Sequence, residues 1–156
     1  MRLHLPVLAF ALLGGLALLP MVAPSAAVHA TEDAASGDVV FQVRIDERRG
    51  GDVLCALYRD EGTWLSERPF RDAQSESGAA WATCVFSAVP HDTYAIAALH
   101  DENGNGEMDK NFIGLPVEGY AASRDAHQEG IGAPDWDDAI FAHRSDQTVQ
   151  RARMKY

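Results

Sequence analysis

The segment His100 to Asn111, His-Asp-Glu-Asn-Gly-Asn-Gly-Glu-Met-Asp-Lys-Asn, is the part of the chain richest in groups that could do chemistry. Oxygen-bearing side chains recur at every second position, Asp101, Asn103 and Asn105. Gly106 follows, and then Glu107 and Asp109. A hard divalent cation such as Ca²⁺ takes roughly six to eight oxygen ligands. Alternate positions of a curled loop can aim at one centre, and Gly106 permits the turn that curls it. The candidate ligands are therefore Asp101, Asn103, Asn105, Glu107 through its backbone oxygen, and Asp109, with Ca²⁺ as the implied ion.

Position twelve of an EF-hand loop is a bidentate Glu, whereas here it is Phe112, and the loop follows a strand pattern instead of a helix. A site here borrows a ligand from elsewhere, and Glu118 is the nearest spare carboxylate. Two Asp and two neutral Asn oxygens imply an affinity of about 10⁻⁴–10⁻³ M. The same residues have a second reading. Asn103-Gly104 and Asn105-Gly106 are strong hairpin signals, because both residue types tolerate positive φ. The loop is either an ion site or a bare turn between strands, and an ion there would pin the loop without driving a reaction.

Other chemistry is thinly represented. There is no His-Glu-x-x-His, no Gly-x-Ser-x-Gly and no Gly-rich phosphate loop. His91, His100, His127 and His143 lack metal-pair spacing. His100 beside Asp101 could serve as a general base, although a His at a strand end is ordinarily a turn or packing residue. Asp135, Asp137 and Asp138 could offer paired carboxylates for glycoside hydrolysis, but acids at a helix start explain them better. Ser123, Arg124 and Asp125 read as a plain polar loop. Trp64, Trp81, Tyr120 and Trp136 could form a sugar- or peptide-binding face, or could be packing residues. Cys55 and Cys84 are the only cysteines, and no Cys-x-x-Cys redox spacing exists. A bridge between them would close a loop of about 30 residues and stabilise by roughly 3–4 kcal/mol. The alternative is two buried free thiols.

These groups must be positioned by strands. Val39, Phe41, Val43 and Ile45 alternate with Gln42, Arg44 and Asp46, which is a strand with one wet face. Glu47 to Gly51 is a turn. Val53 to Tyr58 is apolar on both faces, as inside a sheet. Residues 60–78 read as a polar connection whose Trp64, Leu65 and Phe70 fold back onto the core. A third strand spans about Ala80 to Val89, with Ala82, Cys84 and Phe86 on one face. A fourth spans Thr93 to His100, and a last one about Thr148 to Tyr156. Residues 101–147 are irregular except for one short helix opening at Pro134-Asp135, which would set Trp136, Ile140 and His143 on one face with His143 at its end. Short strands separated by turns predict an all-β sandwich over residues 38–156, with one short helix in a long loop; a barrel is the alternative.

Residues 1–30 differ from the rest. Arg2 is their only charged residue, an apolar run extends from Leu5 to Val22, and Val28-His29-Ala30 places small residues at the ends of a cleavage motif. This pattern predicts a secretory signal peptide cut after Ala30, or else after Ala27. The run is broken by Gly14, Gly15 and Pro20, at the short limit for a retained anchor. Residues 31–37 read as a flexible leader. Without the leader peptide, 12 basic residues face 23 acidic ones, a net charge of −11. That charge speaks against nucleic-acid partners, and no second apolar run predicts membrane insertion. The 156-residue length and ordinary composition (47% hydrophobic, 23% charged) exclude collagen-like, disordered and disulfide-dense classes.

Tyr94-Ala95-Ile96-Ala97-Ala98-Leu99-His100-Asp101-Glu102-Asn103-Gly104-Asn105-Gly106, then Met108-Asp109, then Ile113 to Tyr120, together with Pro134 to Phe141, resembles a family of exported bacterial proteins, domain of unknown function 2141. The resemblance spans about residues 39–156. After Tyr120 the chain departs from the family's usual Gly-Phe-Ser with Ala121-Ala122-Ser123-Arg124-Asp125. The resemblance implies a small β-sandwich of the transthyretin-like or immunoglobulin-like kind and implies no activity. Together the readings point to a periplasmic or secreted, non-enzymatic binding or structural module with an unidentified envelope protein or ligand as partner. A small exported hydrolase using His100 and nearby carboxylates is the competing reading, and a subunit of a larger envelope assembly is a third.

Overall fold

The computed structural model describes residues 35–46, 48–76, 80–127 and 132–156. The expected signal peptide with its cleavage points, and residues 31–34 of the expected leader, lie outside the described residues. The elements run β1 (Ser36–Arg44), β2 (Asp52–Tyr58), β3 (Arg71–Glu76), β4 (Trp81–Pro90), β5 (Asp92–Asp101), β6 (Gly119–Ala122), α1 (Trp136–Ala139), β7 (Phe141–His143) and β8 (Gln147–Arg153). Ser36 and Gly37, expected in the leader, already pair with Pro90 and Val89.

Alternation dictates two facing sheets. Val39, Phe41 and Val43 of β1 turn inward, as do Ala82, Cys84 and Phe86 of β4. These strands form a three-stranded sheet in the order β4-β1-β8, with β8 parallel to β1. Val53, Cys55 and Leu57 of β2 and Tyr94, Ile96 and Ala98 of β5 face them from a five-stranded sheet ordered β3-β2-β5-β6, with β7 also pairing β5. The fold is an all-β sandwich. One apolar core fills the space between the sheets, and the Cys55–Cys84 disulfide crosses it from β2 to β4 with a Cα separation of 6.3 Å.

Three strands fall where an irregular chain was expected. The residues of β3 are Arg-Asp-Ala-Gln-Ser-Glu, with Ala73 packed against the core, so in sequence this edge strand reads as polar loop. β6 and β7 are four and three residues long, too short for a period-two pattern to register. The expected helix is a single turn. It ends at Ala139, where Ile140 is already extended at ψ 141°. His143 therefore belongs to β7 and not to a helix end. It is fully buried, its Nε2 3.1 Å from the Val89 carbonyl and its Nδ1 2.7 Å from Thr148 Oγ1. Trp64 and Phe70 do fold back. Trp64 packs edge-on to Tyr58 and Trp136 and donates its indole N–H to the Pro134 carbonyl at 2.8 Å, and Phe70 stacks beside Tyr94. Leu65 stays exposed.

Candidate functional site

Residues 101–118 connect β5 to β6 and close on themselves. The Asp101 carboxylate points back into the loop and accepts three backbone N–H groups: Gly104 at 2.8 Å and Asn105 at 3.1 Å on Oδ1, and Gly106 at 2.8 Å on Oδ2. Gly104 and Gly106 sit at φ 74° and 78°, which L side chains rarely adopt, so these glycines allow the chain to curl around that carboxylate. Asn103 Oδ1 accepts from Asn105 N–H, and Asn105 Oδ1 accepts from Glu107 N–H. Both amide groups donate to the Asp109 carboxylate, at 2.5 and 3.1 Å. Glu118 closes the loop from the far end. Its two oxygens accept from Glu102 N–H at 3.0 Å and Asp109 N–H at 3.2 Å. The fold thus gathers Asp101, Asn103, Asn105 and Asp109 with Glu118, while the Glu107 side chain stays in solvent.

His100 is not part of this cluster. Neighbouring residues on a strand face opposite ways, so Asp101 turns to the loop while His100 turns into the core, where it is fully buried. Its Nδ1 lies 2.7 Å from the Tyr156 hydroxyl, and its Nε2 has no hydrogen-bond partner among the described residues. Gly119 makes room for that tyrosine, since a Cβ there would stand 2.5 Å from the Tyr156 ring. Arg49 lies over the same ring, 4.2 Å from its centroid, and pairs with Glu102 at 2.5 Å. Burial pushes the Tyr156 hydroxyl above its ordinary pKa, more than the Asp46 N–H bond and the Arg49 charge lower it.

The 106–116 part of the loop also forms one wall of a groove of about 1120 Å³ on the outer face of the five-stranded sheet. Strand registers explain the hollow. Ala56 lies opposite Ala97, and Leu54 opposite Leu99, so two methyls and two leucines make the floor. Asp72 and Gln74 of β3 and Tyr120 of β6 continue those rows. Leu65, Ser66, Glu67 and Pro69 line the hollow as well. The depression exists because Ala56 and Ala97 are small. Nothing in their apolar character distinguished them from core residues in the sequence.

The aromatic residues do not form one face. Trp64 and Trp136 pack over Ala95, Ala122 and Ala139 on the outer side of the five-stranded sheet, whereas Trp81 is exposed on β4 of the other sheet. Asp135, Asp137 and Asp138 begin the single-turn helix. Ser123, expected in a plain polar loop, is fully buried. It accepts Ile96 N–H at 2.9 Å and donates to the Ala139 carbonyl at 2.6 Å, tying β5 to the helix. Asp125 beside it accepts Arg153 N–H at 2.8 Å. A lone serine carries no sequence signal for such a strut.

A family model described as an uncharacterized protein conserved in bacteria (DUF2141) matches residues 42–151. The chain belongs to this family. The DUF2141 match spans β2 to β7 entire, including the whole 101–118 loop and both cysteines. No curated protein and no solved structure matches the chain.

Proposed function

We propose that this DUF2141 domain is a non-enzymatic binding module of the bacterial cell envelope, in which Ca²⁺ held by the 101–118 loop fixes one wall of the groove that receives the partner. One observation carries the reading. Asp101 and Glu118 are 4% and 5% exposed, Asp109 lies between them in the network, and among the described residues none of the three has a Lys, Arg or His partner. Buried charges are ordinarily paired or coordinate a metal. Here their only partners are backbone N–H groups and asparagine amides, which leave oxygen lone pairs free. Asp101, Asn103, Asn105, the Glu107 carbonyl, Asp109 and Glu118 would supply hard-oxygen donors of the kind Ca²⁺ takes; among the described residues no three acidic groups already converge on one point, so the ion would have to draw them together. Rotation of the two Asn amides would turn their oxygens toward it. The Cys55–Cys84 bridge and the leader pattern of residues 1–30 support an oxidising compartment outside the cytoplasm.

The hydrolase alternative has less support. A general base must reach the proton it abstracts, and His100 is enclosed by the core.

Thermal unfolding in excess Ca²⁺ and in chelator tests the ion. Binding to the folded form alone stabilises by about 2.7 kcal/mol at a hundredfold excess over the dissociation constant. The midpoint should rise with Ca²⁺ in the natural chain. In Asp109→Asn the rise should largely vanish while the chelated midpoint changes little. A midpoint indifferent to millimolar Ca²⁺ would make the loop a purely hydrogen-bonded turn.

A further inference from the structure

The loop that walls the groove ends in a stiff apolar tip. Asn111 Oδ1 accepts from Ile113 N–H at 3.1 Å and Leu115 N–H at 3.0 Å, Asn111 N–H donates to the Leu115 carbonyl, and Gly114 N–H donates to the Asn111 carbonyl. A bridge between Lys110 and Pro116 closes the base of this turn. On it Phe112 is 99% exposed and Ile113 63%, and neither side chain lines the molecule's own groove. Two large apolar side chains held outward on an ordered turn form a knob, because a knob of fixed shape loses little conformational entropy on docking.

The same molecule carries a matching hole. The groove floor is Leu54, Ala56, Ala97 and Leu99, and its charged lining is Glu67, Asp72 and Glu107 against the single Lys110. The tip segment 110–117 carries one charge, that of Lys110, which has no ion-pair partner among the described residues. An apolar knob with a basic foot thus complements an apolar hole with an acidic rim. Knob and hole adjoin, since Lys110, Leu115 and Pro116 also line the groove. A two-fold axis near that rim would lay each tip in the other copy's groove, and such an exchange closes on itself instead of propagating.

We infer that the groove receives a second copy of this chain: Phe112 and Ile113 of each copy insert over Ala56 and Ala97 of the other, with Lys110 approaching Glu67 and Asp72 of the second copy. This rests on the reading of the groove as the binding surface.

Sedimentation velocity from micromolar to millimolar protein, in Ca²⁺ and in chelator, tests it with two variants. Phe112→Asp changes only an exposed side chain and should keep the natural melting midpoint at protein concentrations low enough for both chains to be monomeric. It should weaken the dimer by about 30-fold or more, as loss of a central aromatic anchor does. Ala97→Trp should fill the groove and weaken the dimer likewise. Mixing the two variants leaves one intact knob and one intact hole, and should restore heterodimers tighter than either homodimer. Photo-crosslinking from Phe112→p-benzoylphenylalanine should label residues of the groove. A natural chain that is monomeric throughout overturns the inference, as does a dimer indifferent to Phe112→Asp or crosslinked elsewhere. Monomers that bind lipid vesicles through Phe112 would overturn it by making the occupant a bilayer. A dimer that persists beside a Ca²⁺-indifferent midpoint would remove the ion and keep the occupant.

Discussion

The space between the sheets and the 101–118 loop are ordered by opposite means. In the first, Phe41, Phe86, Leu57, Ile96 and Tyr94 exclude water, and one disulfide ties the layers. In the second, no large apolar side chain is buried, and order comes from carboxylates that accept backbone N–H groups. Apolar burial is non-directional and tolerates modest shape changes. A polar loop is directional, so each acceptor specifies the path of several residues. The core therefore sets whether the chain folds, and the loop sets which surface the folded domain presents.

The largest effect should come from the core. Phe41→Ala should cost about 3–5 kcal/mol in urea unfolding, through lost transfer energy and a residual cavity, and the cost should be equal in Ca²⁺ and in chelator. Unequal costs would mean that core and loop are energetically one unit. Removing the disulfide with Cys55→Ala and Cys84→Ala together should cost roughly 3–4 kcal/mol, since the bridge closes a separation of 29 residues, again independently of the ion.

Asp101→Ala should cost about 1–3 kcal/mol, because it removes the acceptor of the Gly104 and Gly106 N–H groups and leaves Asn105 N–H only Asn103 Oδ1. It should also abolish any Ca²⁺-dependent gain and raise hydrogen exchange at Gly104, Asn105 and Gly106. Exchange that spreads into β1 or β4 would break the contrast between the two regions. The smallest effect sits at their junction. Burial raises the Tyr156 pKa above its unfolded value. The folded chain therefore holds that proton more tightly, and the associated stability is whole below about pH 10 and lost as pH rises through the folded value. Tyr156→Phe should shallow this alkaline loss, measured as the midpoint against pH. Tyr58 and Tyr94, also raised by burial, should retain the rest of the slope.

Legibility in the sequence followed the same division. Val39-Phe41-Val43 and Ala82-Cys84-Phe86 alternate because one face of each strand is wholly buried, so their strands and facing are visible in the residues alone. The loop was visible because its acceptors are Asp and Asn at regular spacing with glycines where φ is positive. Glu118 could be named only as a spare carboxylate, since nothing local shows that the chain returns to Glu102. β3, β6 and β7 were hidden because edge and very short strands owe their conformation to a neighbour's unpaired backbone, not to their own side chains. The groove was hidden for a different reason: a hollow is made by what Ala56 and Ala97 lack. His100 was misleading, because adjacency to Asp101 in the chain means opposition on a strand.

The parallel pairing of β1 with β8 sets an order of events for the growing chain. Asp38 to Arg44 align with Gln147 to Arg153, so one of β1's two neighbours in the three-stranded sheet is made more than a hundred residues after β1 itself. Until then β1 has β4 on one side and an open row of N–H and C=O groups on the other, a template for any passing strand. A contact spanning more than a hundred residues is also slow to find, which places folding in the millisecond-to-second range typical of such topologies. Chains cut short before Gln147 would hold every residue of the 101–118 loop and still carry that open edge, and should aggregate through it.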